Sequence, residues 1–301
     1  MYDWNKMKKF TILIPVYNDW ESLEKLLINI NKNIKNIQGA MFNCVIVDDC
    51  STIKNLEIKI PSHIGSIQII HMNKNRGHAR CNAFGIKYLS KDSDLDYAIL
   101  MDGDGEDRPE EIKLLVSKAQ QKPEVSIVAK RIKRSEGPLF KLLYQTHKYL
   151  TLLTTGNLIN FGNYSCLTKN DLETLSTKAS LWSSFSGSFK KYIKNYTEVN
   201  SIRGVRYFGP SQMSFFKLII HSLSIIAVFK YKVLLKSIIL LLLLQYLHDV
   251  INFNSLFFQT SVVLFNLFIF IVSFRESEKE LRNSELNIKN IHDLTHQIVV
   301  K

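Results

Sequence analysis

Across residues 237–274 the chain carries no lysine or arginine, and Asp249 is the only charged side chain. So long a run without charge has two physical destinations, the interior of a large core or a lipid bilayer. It exceeds one membrane span of about 20 residues and divides at His248-Asp249-Val250-Ile251-Asn252-Phe253-Asn254 into two helix-length pieces. Residues 238–244 are apolar on every face, where a surface helix would show a polar stripe. The reading is a transmembrane hairpin over 233–274, with spans at 233–247 plus flanks and 256–274. A pair of buried core helices is the alternative that periodicity leaves open. Lys230, Lys232 and Lys236 precede the first span and Arg275, Lys279 and Arg282 follow the second, while the connecting turn has no basic residue. The positive-inside rule then places both flanks in the cytoplasm, so the N-terminal domain and the C-terminal tail share one side.

The 39 basic and 27 acidic residues give a formal charge of +12. No zinc-finger spacing or RNP-type aromatic motif accompanies that excess, which argues against a nucleic-acid partner. Attraction to anionic lipid headgroups accounts for it instead. The four cysteines, Cys44, Cys50, Cys81 and Cys166, form no CxxC pair, fit a reducing compartment and are read as packing residues. Met1-Tyr2-Asp3-Trp4-Asn5-Lys6 lacks the apolar core of a signal peptide, so insertion is expected to rely on the hairpin.

Before the hairpin, strand and helix patterns alternate. Phe10-Thr11-Ile12-Leu13-Ile14-Pro15, Cys44-Val45-Ile46-Val47, Ile67-Gln68-Ile69-Ile70 and Tyr97-Ala98-Ile99-Leu100-Met101 read as buried strands. Leu23, Leu26, Leu27 and Ile30, then Ala79, Ala83, Ile86 and Leu89, recur at helical spacing. Asp107-Arg108-Pro109-Glu110-Glu111 has the cap, early proline and acidic first turn of a helix start. Such alternation predicts a mostly parallel, Rossmann-like α/β sheet. Polar residues gather at the C-terminal strand ends: Pro15-Val16-Tyr17-Asn18-Asp19, Asp48-Asp49 and Asp102-Gly103-Asp104. In an open α/β sheet that edge is the ligand crevice. Asp-Gly-rich stretches are often plain turns. Two aspartates one residue apart can also face one hard cation, Mg²⁺ or Mn²⁺, shared with substrate phosphates. Neither a Walker A loop nor a G-x-G-x-x-G fingerprint is present, against an NTPase or a dehydrogenase.

The order Thr11-Ile12-Leu13-Ile14-Pro15-Val16-Tyr17-Asn18-Asp19, Val45-Ile46-Val47-Asp48-Asp49-Cys50-Ser51, Asn75-Arg76-Gly77-His78-Ala79-Arg80 and Asp102-Gly103-Asp104 resembles the GT-A glycosyltransferases of family 2. Val128-Ala129-Lys130-Arg131 with Lys133 and Arg134, Phe161-Gly162-Asn163-Tyr164, and Arg206-Tyr207-Phe208-Gly209-Pro210-Ser211 resemble the polyprenyl-phosphate glycosyltransferase branch. That branch includes dolichol-phosphate mannose synthase and bactoprenol glucosyltransferases. The resemblance implies a cytoplasmic GT-A catalytic domain (1–209), an interfacial amphipathic helix (210–232), the transmembrane hairpin (233–274) and a charged cytoplasmic tail (275–301), in a bacterial inner membrane. It implies an inverting, metal-dependent transfer of a hexose from a UDP- or GDP-sugar to polyprenyl phosphate. Homo-oligomerisation is compatible with it.

By the same resemblance, Pro15, Tyr17, Asp19, Asp48, Asp49, Arg76, Asp102, Gly103, Asp104 and Glu106 would line the donor. Asp102 and Asp104 would hold Mg²⁺ or Mn²⁺, with Asp104 the more direct ligand. Arg131 and Arg206 would supply positive charge for catalysis, and Arg131, Arg134, Asn163, Arg203 and Arg206 would meet the acceptor phosphate. The chain departs from the pattern twice. Asn163 stands where relatives often have a carboxylate, and Glu106-Asp107-Arg108 where many have Gln with prolines. The helix before the hairpin is read with Ser214, Lys217, His221 and Ser224 near a polar face and Phe216, Ile219, Ile220 and Leu223 opposite. His221 and His78 are read as non-catalytic, and the tail as a charged, partly helical extension. Transfer to a saccharide or glycan-lipid acceptor, and a non-catalytic nucleotide-sugar or lipid-binding subunit, are the rival functions.

Overall fold

A computed structural model describes residues 7–53, 58–133, 138–209 and 214–295. The four predicted strands form β1 (Lys8–Val16), β2 (Ala40–Asp48), β3 (Ser66–Met72) and β4 (Tyr97–Leu100), all parallel. Beyond β4 the sheet continues with β6 (Phe161–Thr168), antiparallel to β4 and to β5 (Ser126–Lys133), and ends in β7 (Tyr196–Ile202). At the opposite edge β8 (Ile288–Thr295) lies antiparallel to β3, giving eight strands in the order β7-β5-β6-β4-β1-β2-β3-β8.

Every residue of β1 from Phe10 onward is buried, as a central strand covered on both faces requires. Phe10, Ile12 and Ile14 pack under α1 (Trp20–Ile34) and α3 (Ile112–Gln121). Leu13 belongs to the opposite cluster, beneath α2 (His78–Leu89), α5 (Lys169–Ser176) and α6 (Phe185–Tyr192). Gly85 of α2 lets that helix close down on β1, since a Cβ there would lie 2.3 Å from Leu13 Cδ1. Cys44, Cys81 and Cys166 are buried free thiols, as packing residues should be.

After α4 (Pro138–Thr155) and the strands come α7 (Phe215–Ala227), α8 (Lys230–Ile251) and α9 (Leu256–Ser273). Both α8 and α9 are long and apolar enough to cross a membrane, and only 6% and 22% of their most apolar windows are buried. Ile239, Leu242, Phe257, Leu264 and Ile271 face outward. The predicted polar face of the preceding helix fails at its C-terminal end. Ser224 is buried and donates to Ile220 O at 2.7 Å, a tertiary packing position that overrides the helical pattern. The chain breaks at Val228-Phe229 before α8 starts.

The tail also departs from expectation. After α10 (Glu278–Arg282) it returns as β8, so the start of α8 and the end of α9 both connect to the same sheet. Any membrane crossing by the pair is therefore even-numbered. Emptying the filled site between β1 and α2 tests the packing: Leu13→Ala should destabilise the protein by about 2–5 kcal/mol in denaturant titration. A loss under about 1 kcal/mol would contradict it.

Candidate active site

The crevice forms where β1, β2 and β4 end side by side. Beyond β1 the chain turns at Asn18, whose φ of 51° is the left-handed conformation asparagine tolerates. Asn18 Oδ1 then accepts from Thr52 N at 2.8 Å, tying the first strand end to the second. Tyr17 is exposed on this edge, and Pro15 O lies 2.9 Å from where a Cβ on Gly103 would sit. Glycine at 103 is thus what allows the acidic loop to lie against β1.

Asp48 and Asp49 are both buried. Asp48 accepts from Ser51 N at 2.9 Å and meets His71 Nδ1 at 2.8 Å. Asp49 gives one oxygen to Arg76 N and the other to Gly77 N, each at 2.7 Å. Burial raises its pKa, and the two backbone bonds work against that rise. Both carboxylates therefore organise the crevice through neighbouring loops. Arg76 joins the site by its backbone, since its guanidinium turns to Glu280 at 3.2 Å.

The acidic loop after β4 is folded against the loop after β7. Gly204 N donates to Glu106 O at 2.8 Å and Tyr207 N to Asp104 O at 2.9 Å. Gly105 has φ +89°, and a Cβ there would lie 2.5 Å from the Tyr207 ring. Tyr207 OH accepts from Asn29 Nδ2 at 2.9 Å, and Lys25 Nζ sits 4.9 Å above the ring. This docking brings two arginines onto the carboxylates. Arg206 bridges Asp104, at 2.8 Å through Nη1, and Asp19 through Nη2. Arg203 pairs with Glu106, so it does not duplicate Arg206.

Asp102 faces the other way. Asn163 Nδ2 donates to its Oδ1 at 3.2 Å and lies 2.7 Å from His78 Nε2, which is itself 3.2 Å from Asp102. Burial alone would raise Asp102, but His78, Arg131 and the Asn163 bond outweigh it and hold the carboxyl below its ordinary range. Asp104 is driven upward by burial and by the charges of Asp102 and Glu106. Asp107 is not a helix cap. It is buried, accepts from Asp102 N at 3.0 Å, lies 3.5 Å from Arg131 Nη2, and is raised by burial and by Asp102. Its side chain is needed inside the turn, which leaves Arg108 in the cap position.

His78 therefore belongs to the site, a contact across 85 residues that no local pattern signals. Burial, with His78 and His147 nearby, pushes His221 down to about 4, and its side chain is half-buried on α7. Among the predicted residues, Arg134 lies outside the described ones. No group of three or more His, Cys, Asp or Glu side chains among the described residues converges as a closed metal site. Asp102 and Asp104 supply the hard carboxylate oxygens that Mg²⁺ and Mn²⁺ favour, though here Asp104 accepts from Glu106 N at 3.0 Å and from Arg206, while Asp102 turns to Asn163 and His78. Burial first, and then the charges of Asp102 and Glu106, raise Asp104, and a divalent cation beside it would act in the opposite direction.

The sequence profile described as Glycosyl transferase family 2 matches residues 11–197. Similar proteins include undecaprenyl-phosphate 4-deoxy-4-formamido-L-arabinose transferases of Salmonella paratyphi B and Salmonella newport. Each is 28% identical over 229 residues, 73% of this chain and 67% of the relative. Among solved structures, glucosyl-3-phosphoglycerate synthase from Mycobacterium tuberculosis, in complex with Mn²⁺, UDP-glucose and phosphoglyceric acid, superposes with a TM-score of 0.53. It is 13% identical, covering 75% of this chain and 80% of that one, and so speaks to the fold alone.

The docked loop makes a direct prediction. Tyr207→Ala should speed hydrogen exchange at the Gly204 and Tyr207 amides by about tenfold or more while leaving β1 and β2 amides protected. Unchanged exchange at those two amides would contradict the docking.

Proposed function

The chain belongs to glycosyl transferase family 2, and from that premise we propose that it transfers a hexose from a UDP- or GDP-sugar to polyprenyl phosphate, with inversion, at the cytoplasmic face of a bacterial membrane. The observation that carries the proposal is the meeting of Asp19, Asp104 and Arg206 at a strand-end crevice in a chain that also bears two outward-facing apolar helices. The similarity to undecaprenyl-phosphate transferases supports the acceptor class.

In this reading Tyr17, Asp19 and the loops organised by Asp48 and Asp49 receive the nucleoside. Asp102 and Asp104 would hold Mg²⁺ or Mn²⁺. When bound, the ion supplies positive charge to the donor diphosphate. Arg206 adds a guanidinium group suited to binding phosphate oxygens in bidentate fashion and to stabilising the charge the leaving diphosphate gains. Arg131 and Asn163, on β5 and β6, face the acceptor phosphate. An oxygen of that phosphate attacks the anomeric carbon in line, and the bond to the diphosphate breaks with its electron pair leaving on the nucleotide. Because the attacking oxygen is already anionic, Asn163 can stand where relatives have a carboxylate. The division 1–209, 210–232 and 233–274 belongs to the same proposal, with the two helices spanning the bilayer and α7 at its surface, while the segment after 274 rejoins the catalytic sheet through β8 instead of forming a separate tail.

A second reading, transfer to a saccharide hydroxyl, draws on His78, which lies beside Asn163 and Asp102 and could take a hydroxyl proton. Labelled sugar transfer separates the two. Added polyprenyl phosphate, but not the matching polyprenol, should carry label from nucleotide sugar into organic solvent, and Asp104→Ala should lower that transfer by at least about a hundredfold. Label that ignores polyprenyl phosphate would sink the acceptor assignment, and undiminished Asp104→Ala turnover would sink the role of that carboxylate.

A further inference from the structure

The segment that follows the helix pair grips the loop between β3 and α2. Where the β3–β8 pairing ends, side chains and turns take over. Asn73 N donates to Asn287 O at 2.7 Å, Asn73 Nδ2 to Ile288 O at 3.1 Å, and Asn287 Nδ2 to Lys74 O at 3.1 Å. Further along the loop, Arg76 Nη1 lies 3.2 Å from Glu280 Oε2, the same oxygen that accepts from Trp182 Nε1 at 2.9 Å. The loop so held presents the N–H groups of Arg76 and Gly77 to Asp49.

The segment is itself anchored at several points. Glu276 pairs with Lys230 at 3.0 Å where the chain leaves α9, and Glu285 pairs with Lys87 at 3.1 Å and Lys91 at 2.6 Å. Partly exposed ion pairs such as Arg76–Glu280 are individually weak. Here the Arg76–Glu280 pair adds to three hydrogen bonds on the loop that sets Asp49, and a loop held in place loses less freedom when a ligand arrives.

We infer that residues 276–295 form a strap that sets the nucleotide affinity of the crevice, with Glu280 and Asn287 as positioning residues acting through the β3–α2 loop and Asp49. The inference rests on the donor-site reading given above. Neither residue touches the acidic loop, so the effect belongs to binding and leaves the transfer step alone.

Calorimetric titration of the full chain in detergent with UDP and with GDP, each with Mn²⁺, tests it. Glu280→Ala and Asn287→Ala should each weaken the nucleotide that binds by about fivefold. Their thermal midpoints should stay within about 2 °C of the wild type. Glu280→Gln, which keeps an acceptor for Trp182, should recover part of the affinity, and in turnover the alanine variants should raise donor KM with kcat unchanged. Equal affinity in the wild type and both alanine variants overturns the strap, as does a loss of affinity that only follows a larger fall in thermal midpoint. A wild type that binds neither nucleotide overturns the donor-site reading itself, and the strap with it.

Discussion

Carboxylates crowded into one partly buried turn constrain everything around them. Asp102, Asp104, Glu106 and Asp107 fall within six residues, and in a low-dielectric setting they remain ionised together only if cations are brought to them. The chain supplies those cations from distant places. Arg206 and Arg203 arrive on the loop after β7 and Arg131 on β5, while His78 at the start of α2 lies beside Asp102. Gly103 and Gly105 are the steric conditions for this, since a side chain at either would meet Pro15 O or the Tyr207 ring. The acidic loop is therefore the point on which the two halves of the sheet are tied together.

That tie also sets direction. One side of the cluster, through Arg206, looks toward Asp19 beyond the end of β1. The other, through Asp102, Asn163 and His78, looks toward β6, with α4 and α7 bringing His147 and His221 close. The return of the tail as β8 keeps the ends of the apolar helix pair on the side of the sheet.

The parts legible in the sequence were those with local signals. Strands β1 to β4 are continuous apolar runs, and their acidic ends stand out against them. The helix pair announces itself by lacking charge. The rest depends on contacts far apart in the chain. β8 is exposed along most of its length and so shows no apolar alternation to reveal a strand. Asp107 follows the pattern of a helix cap, yet tertiary burial pulls it under Asp102. His78 joins the site through Asn163 of β6 and Asp102 after β4, and Ser224 turns inward because α7 ends inside the protein. The pairing of Arg203 with Glu106 and of Arg206 with Asp104 could be told apart only once the loop after β7 was seen docked.

The central claim is that Asp102 and Asp104 join a divalent cation to a nucleoside diphosphate in this crevice. Electron paramagnetic resonance of free Mn²⁺ reads this directly in the full-length protein. Adding protein together with UDP or GDP should remove more free Mn²⁺ signal than protein or nucleotide alone, and Asp104→Asn should abolish the difference. No additional uptake with either nucleotide, or the same uptake by Asp104→Asn, would contradict the account.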